Sequence, residues 1–187
     1  MGTPKALLQL EGRTFLDRLM RLFAEVCDPV VVVLGSHASQ IRAGIDPPPG
    51  VVFTENPDPD RGMLSSLQCG IDALPAPDSP LLFMPVDHPN LRLSTLQSVA
   101  AAFHLGGARV VVPTYEGAHG HPVCVDSTLV SELRALPAEA RASDVIHRYT
   151  GETLYVEVDD PAVTTDIDDP AAYAELLSGG PAASGLS

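Results

Sequence analysis

Apolar positions along the chain keep two rhythms, one of three and four residues and one of unbroken short runs. After a polar Gly-Thr-Pro turn and a lone Lys5, the set Phe15, Leu16, Leu19, Met20, Leu22, Phe23 and Val26 recurs at helical spacing. Thr14 followed by Asp17 resembles a capping box, so a helix is predicted over about 14–27. PVVVVLG at 29–35 is a continuous β-branched run stopped by glycine, the pattern of a strand buried on both faces. SHASQIRAGI predicts a short helix, PPPG a rigid loop, and VVFTEN at 51–56 a second strand. Helical periodicity returns over 62–74, a buried strand over 80–87, and a helix over 93–105. ARVVVPTY at 108–115 and HPVCVD at 121–126, separated by EGAHG, predict a hairpin or a widened crossover. Helices near 127–136 and 142–149, a strand at 152–158 and a helix at 169–177 complete the pattern. Alternating strands and helices predict an α/β fold whose mostly parallel sheet is covered by helices on both faces and becomes mixed toward its later strands.

Composition narrows the class. With 187 residues, 45% of them apolar, the chain can bury one substantial core, and a single domain over 1–177 is expected, followed by a low-complexity tail at 178–187 expected to be disordered. Eleven basic residues against 24 acidic ones leave a net charge of -13, a field that repels nucleic acid and anionic membranes. Cys27, Cys69 and Cys124 stand far apart without zinc-ligand spacing, and are read as buried, reduced thiols. No apolar stretch reaches the roughly 20 residues needed to span a bilayer, so a cytoplasmic protein is expected.

In an open α/β sheet, ligands bind beyond the carboxyl ends of the strands. PLLFMPVDHP places Asp87 there, its exit stiffened by Pro85 and Pro89. TTDIDDP sets Asp166 and Asp168 at period two on one face of an extended segment, with Asp169 positioned to cap the helix that follows. Carboxylates gathered in an acidic protein ask for a cation, and magnesium in nucleotide enzymes commonly takes one or two carboxylates plus substrate phosphates. Taken singly, each aspartate reads equally well as a turn residue or a solvated cap. NPDPDRGMLSSL enters a helix at Gly62 and puts Ser65 and Ser66 in its first turn, where free N–H groups attract anions or polar ligand edges. GAHGHPV brings two histidines into a glycine-rich loop without partners at metal-ligand spacing.

Together, MGTPKALLQLEGRTFLDR, NPDPDRGMLSSLQCGIDAL, PVDHP, VVPTYEGAHGHPV and DIDDPAAY resemble the MobA-like NTP transferase family, in particular its molybdenum cofactor cytidylyltransferases. The resemblance implies a Rossmann-like, three-layer nucleotidyltransferase domain. It implies transfer of a nucleotidyl group, CMP from CTP or the GTP equivalent, to the terminal phosphate of molybdopterin, with magnesium as cofactor and pyrophosphate released. By the same resemblance Lys5 contacts the triphosphate, and Asp87 binds magnesium with Asp168 and Asp166 on the second metal side. Gly62 and Ser66 then line the base pocket, and His121 lies near the acceptor.

One piece of the family pattern is not in this sequence: the central strand and glycine-rich L-A-A-G-x-S-x-R loop that precede Met-Gly. Two outcomes are expected from this. Either the true start lies upstream, or the sheet closes over the gap and cripples the nucleotide site. A catalytically degenerate member, serving as a cofactor-binding or molybdoenzyme-maturation accessory to a molybdoenzyme or its chaperone, is the alternative. A receiver module would need a phospho-acceptor aspartate after its first strand and an acidic pair near the start, and neither is present.

Overall fold

The computed structural model describes residues 2–76, 79–137 and 139–178. A 3-10 turn at Lys5–Leu7 runs into a small antiparallel hairpin, β1 (Gln9–Leu10) and β2 (Arg13–Thr14). Glu11 and Gly12 turn it with φ of 51° and 79°, the paired positive values that a tight hairpin turn requires. Periodicity misses this hairpin because two residues per strand leave no alternation to read. Helix α1 (Phe15–Ala24) then starts where the capping pair predicts: the Thr14 hydroxyl accepts the Asp17 N–H at 3.0 Å and donates to the Asp17 carboxylate.

The chain continues through β3 (Val30–Leu34), α2 (Ala38–Ala43), β4 (Val51–Glu55), α3 (Met63–Asp72) and β5 (Leu81–Phe83). It ends through α4 (Leu93–His104), β6 (Val110–Tyr115), β7 (Ala118–His119), β8 (Val123–Val125), α5 (Ser127–Ala135), α6 (Ala142–Arg148), β9 (Thr153–Glu157) and α7 (Pro170–Leu177). This is an α/β fold with a mixed sheet. Strands β5, β8, β6 and β7 pair antiparallel in that order, and β9 adds to β6 in parallel with Val110 opposite Thr153. The predicted hairpin over 108–126 forms as β6–β7, while β8 returns on the other edge of β6.

Period-two alternation along β6 produces the layers. Val110 and Val112 face a cluster with Leu129, Val130, Leu133 and Val145 from α5 and α6, whereas Val111 faces Val99 of α4 together with Cys124. Helices thus cover both faces of the central strand, which is why it reads as unbroken apolar sequence. Cys124 is buried and its thiol is pushed up to about 12 by that burial, whereas Cys27 and Cys69 are only half-buried; all three are free. No helix among the described residues is long and apolar enough to cross a membrane. The tail expected to be disordered lies, from residue 179 onward, outside the described residues.

The sheet does not close over the expected gap. β3 pairs only with β4, in parallel, and β5 pairs only with β8. Between the free edges of β3 and β5 lies an apolar cleft of about 380 Å³, roofed by α1 and floored by α3.

Candidate active site

The segment after β5 carries Asp87 past Phe83, and a backbone bond fixes what faces it: the Ile167 N–H donates to the Asp87 carbonyl at 2.8 Å. Ile167 is buried against Leu10 and Phe15. Its neighbours Asp166 and Asp168 are exposed on the opposite side, as their period of two predicts. Ala6 is buried among Val32, Leu34 and Met20, and this anchors the turn that carries Lys5. The Lys5 ammonium donates to Asp168 Oδ1 and lies 3.6 Å from Asp87 Oδ2. Residues from three distant parts of the sequence therefore share one charge cluster.

Electrostatics follow from that geometry. Partial burial alone would lower the Lys5 pKa, but the hydrogen bond to Asp168 and the charge of Asp87 outweigh it and raise it. The same hydrogen bond holds the Asp168 carboxyl below the usual carboxylate range. Asp87 Oδ1 is buried and has no hydrogen-bond partner, its nearest polar neighbour being His88 Nε2 at 3.7 Å. His88 Nδ1 lies 3.0 Å from the Ala162 carbonyl, which can only accept, so Nδ1 carries the proton and neutral Nε2 presents a lone pair toward Asp87. An orphaned carboxylate oxygen beside a second carboxylate is a fitting donor set for a hard divalent cation. No three His, Cys, Asp or Glu side chains among the described residues gather to enclose a metal, so phosphate oxygens would have to complete the shell.

Around this cluster sits a scaffold that sequence reasoning does not single out. Asp160 is almost fully buried; it accepts from Thr95 Oγ1 at 2.6 Å, from the Arg92 N–H at 2.9 Å and from the Ala162 N–H at 3.2 Å. It thereby fixes the Ala162 carbonyl that orients His88. The signal was available, since Asp160-Pro161 repeats the cap-then-proline pattern of Asp169-Pro170. Asp169 itself caps α7, accepting the N–H groups of Ala171 and Ala172.

The two loop histidines part company. His119 stacks on Tyr155 with ring centroids 4.4 Å apart, whereas His121 lies 5.1 Å from His88. Burial, and then the neighbouring His88, lower the His121 pKa and keep it neutral at neutral pH. Gly120 makes the approach possible: a Cβ there would stand 2.1 Å from the Val163 carbonyl oxygen. Gly120→Ala should therefore destabilise the protein by about 1–3 kcal/mol, read as a lower melting temperature, because backbone rather than a flexible side chain would have to move.

Gly62 enters α3 with φ 91° and ψ -172°, a conformation essentially confined to glycine. Asn56, buried at the end of β4, organises the turn that follows. Its amide donates to Ser65 Oγ at 2.8 Å and Ser66 Oγ at 3.0 Å, while its Oδ1 accepts the Asp58 N–H at 2.9 Å. Ser65 spends its own proton on the Gly62 carbonyl. Ser66 and Met63 line the same cleft as Val86, the residue before Asp87, so this turn opens toward the charge cluster.

Known proteins share this architecture and this sequence pattern. Over 170 residues the chain is 22% identical to the molybdenum cofactor cytidylyltransferase of Escherichia coli K12, spanning 91% of this chain and 85% of that one. The crystal structure of Rv0371c from Mycobacterium tuberculosis H37Rv superposes with a TM-score of 0.77 at 26% identity, covering 95% of this chain and 90% of that one. A manganese complex of Rv0371c aligns with a TM-score of 0.75 at 25% identity, covering 95% and 93%. The family profile of the MobA-like NTP transferase domain matches residues 1–153, and the chain belongs to that family of nucleotidyltransferases.

Proposed function

We propose that the protein, as one domain over residues 1–177, transfers CMP from CTP to the terminal phosphate of a molybdopterin-type acceptor in the cytoplasm. The observation that carries this reading is the Lys5 ammonium held between Asp87 and Asp168, with an unpartnered Asp87 oxygen beside it. An acceptor phosphate oxygen attacks the α-phosphorus of CTP. The new P–O bond forms as the bond to the bridging oxygen of the β-phosphate breaks, and pyrophosphate leaves with that electron pair. Crowded negative charge makes positioning and neutralisation the main tasks. A magnesium ion, when bound by Asp87 and Asp168 with Asp166 nearby, supplies charge neutralisation between the phosphates. Lys5 acts as a fixed point charge and not as a proton donor. Gly62 shapes the turn toward the base, Ser66 offers it a hydroxyl, and neutral His121 stands on the acceptor side.

Pyrophosphate release measured with CTP, GTP and ATP, each with and without acceptor and magnesium, tests the proposal. Acceptor-dependent release with CTP ahead of GTP and ATP is the expected result, and no release with any nucleotide overturns it. The open cleft between β3 and β5 favours a second reading, a non-catalytic cofactor-binding accessory of molybdoenzyme maturation; binding of CTP without turnover would select it. Asn56→Ala should raise the KM for CTP more than it lowers kcat, because it frees the Ser66 hydroxyl without touching the charge cluster. The lost buried bonds should also cost about 1–3 kcal/mol of stability.

A further inference from the structure

The cleft between β3 and β5 has walls of an unusual kind. On one side runs the free edge of β3, five residues long, and on the other the free edge of β5. Neither edge has a backbone partner among the described residues, although both lie between covering helices, where water cannot satisfy them cheaply. Of the residues that line the cleft, Ser66 alone carries a hydroxyl and none is charged. Leu19 and Phe23 of α1 look into it from one face and Leu67 and Ile71 of α3 from the other. A nucleotide phosphate finds no donor there apart from backbone, and an apolar small molecule would leave both rows of N–H and C=O groups unpaired. An extended apolar peptide segment satisfies both edges and both faces at once.

Direction and origin follow from the neighbouring elements. α1 leads directly into β3, so a strand preceding α1 and lying parallel to β3 would complete a right-handed β-α-β unit. Ala6, packed on Leu34 at the carboxyl end of β3, places the chain just after Gly2 at the end of the cleft where such a strand would exit.

We infer that the cleft is a strand-acceptor slot, taking one extended apolar segment that runs parallel to β3, bonds to both β3 and β5, and is delivered covalently from the N-terminal side of Gly2. This inference does not rest on the proposed transfer reaction, and its readouts are independent of turnover.

The test uses the full chain with a five-residue Val/Ile/Leu segment, matched to β3, and a short Gly-Ser link fused ahead of Gly2. Two controls accompany it: the same fusion with two strand residues replaced by proline, and the unfused chain with the apolar segment as a free peptide. The fusion should raise the melting temperature by about 5 °C or more. It should also slow amide exchange roughly tenfold over Val30–Leu34 and Leu81–Phe83. The proline form, which cannot donate along the ladder, should do neither. The free peptide should match the fusion only at millimolar concentration, because the tether supplies that effective concentration. Absence of protection in the fusion, or equal protection by the proline form, overturns the slot. Equal protection by an equimolar free peptide overturns its covalent delivery.

Discussion

Asp87→Asn should lower turnover by about 10²–10³-fold while leaving the melting temperature within a degree or two of the parent. The size follows from losing one preorganised charge at a centre where phosphates react, a loss of about 2.7–4 kcal/mol of transition-state stabilisation. The spared fold follows from the local structure. Asp87 Oδ1 is buried without a partner, and Oδ2 faces only the Lys5 ammonium at 3.6 Å, so the carboxylate contributes little to the folded state it sits in. The backbone bond from Ile167 to the Asp87 carbonyl survives the substitution. Pyrophosphate release and a thermal scan on the same preparation check both halves, and parent-like turnover would remove Asp87 from the chemistry.

Lys5→Met should cost about 10²-fold in turnover on the same electrostatic grounds, and it carries a second, spectroscopic signature. In the parent, the hydrogen bond from Lys5 holds the Asp168 carboxyl below its ordinary range. The contact is therefore fully present above the ordinary carboxylate range and is lost as the pH falls through the lowered Asp168 value. Lys5, whose pKa is raised, stays charged throughout neutral pH, so the lower edge of the window is set by Asp168. Removing the ammonium should move the Asp168 titration upward, toward the usual range, as followed by carboxyl-carbon NMR. An unchanged Asp168 midpoint would mean that the pair seen here does not persist in solution. Lys5 is the only lysine in the chain, so no second ammonium can take its place.

Much of this site is legible in the sequence because its parts are local. Thr14 and Asp17 announce the start of α1, Asp169-Pro170 announces α7, and the period of two in Asp166-Ile167-Asp168 already says that the carboxylates share a face. Gly62 marks a helix entry that only glycine can shape. Asn56, Asp160 and His88 were not legible as parts of a site. Their importance lies in partners far along the chain: Thr95 and Arg92 for Asp160, Ala162 for His88. A buried polar side chain looks like any loop residue until its hydrogen-bond partners are in place. The β1–β2 hairpin escaped for the opposite reason, being too short to carry a pattern.

By itself, the sequence determined the order and type of the long elements, the layered α/β class and the face on which each acidic residue would lie, because periodicity and capping act within a few residues. Tertiary structure decided what those faces meet. It brought Lys5, Asp87 and Asp168 together through the Ile167 backbone bond, separated His119 from His121, and left β3 and β5 unpaired across an apolar cleft. Strand neighbours are set by packing between segments remote in the chain. For this reason apolar runs alone could predict the strands and could not say whether the two sheets would join.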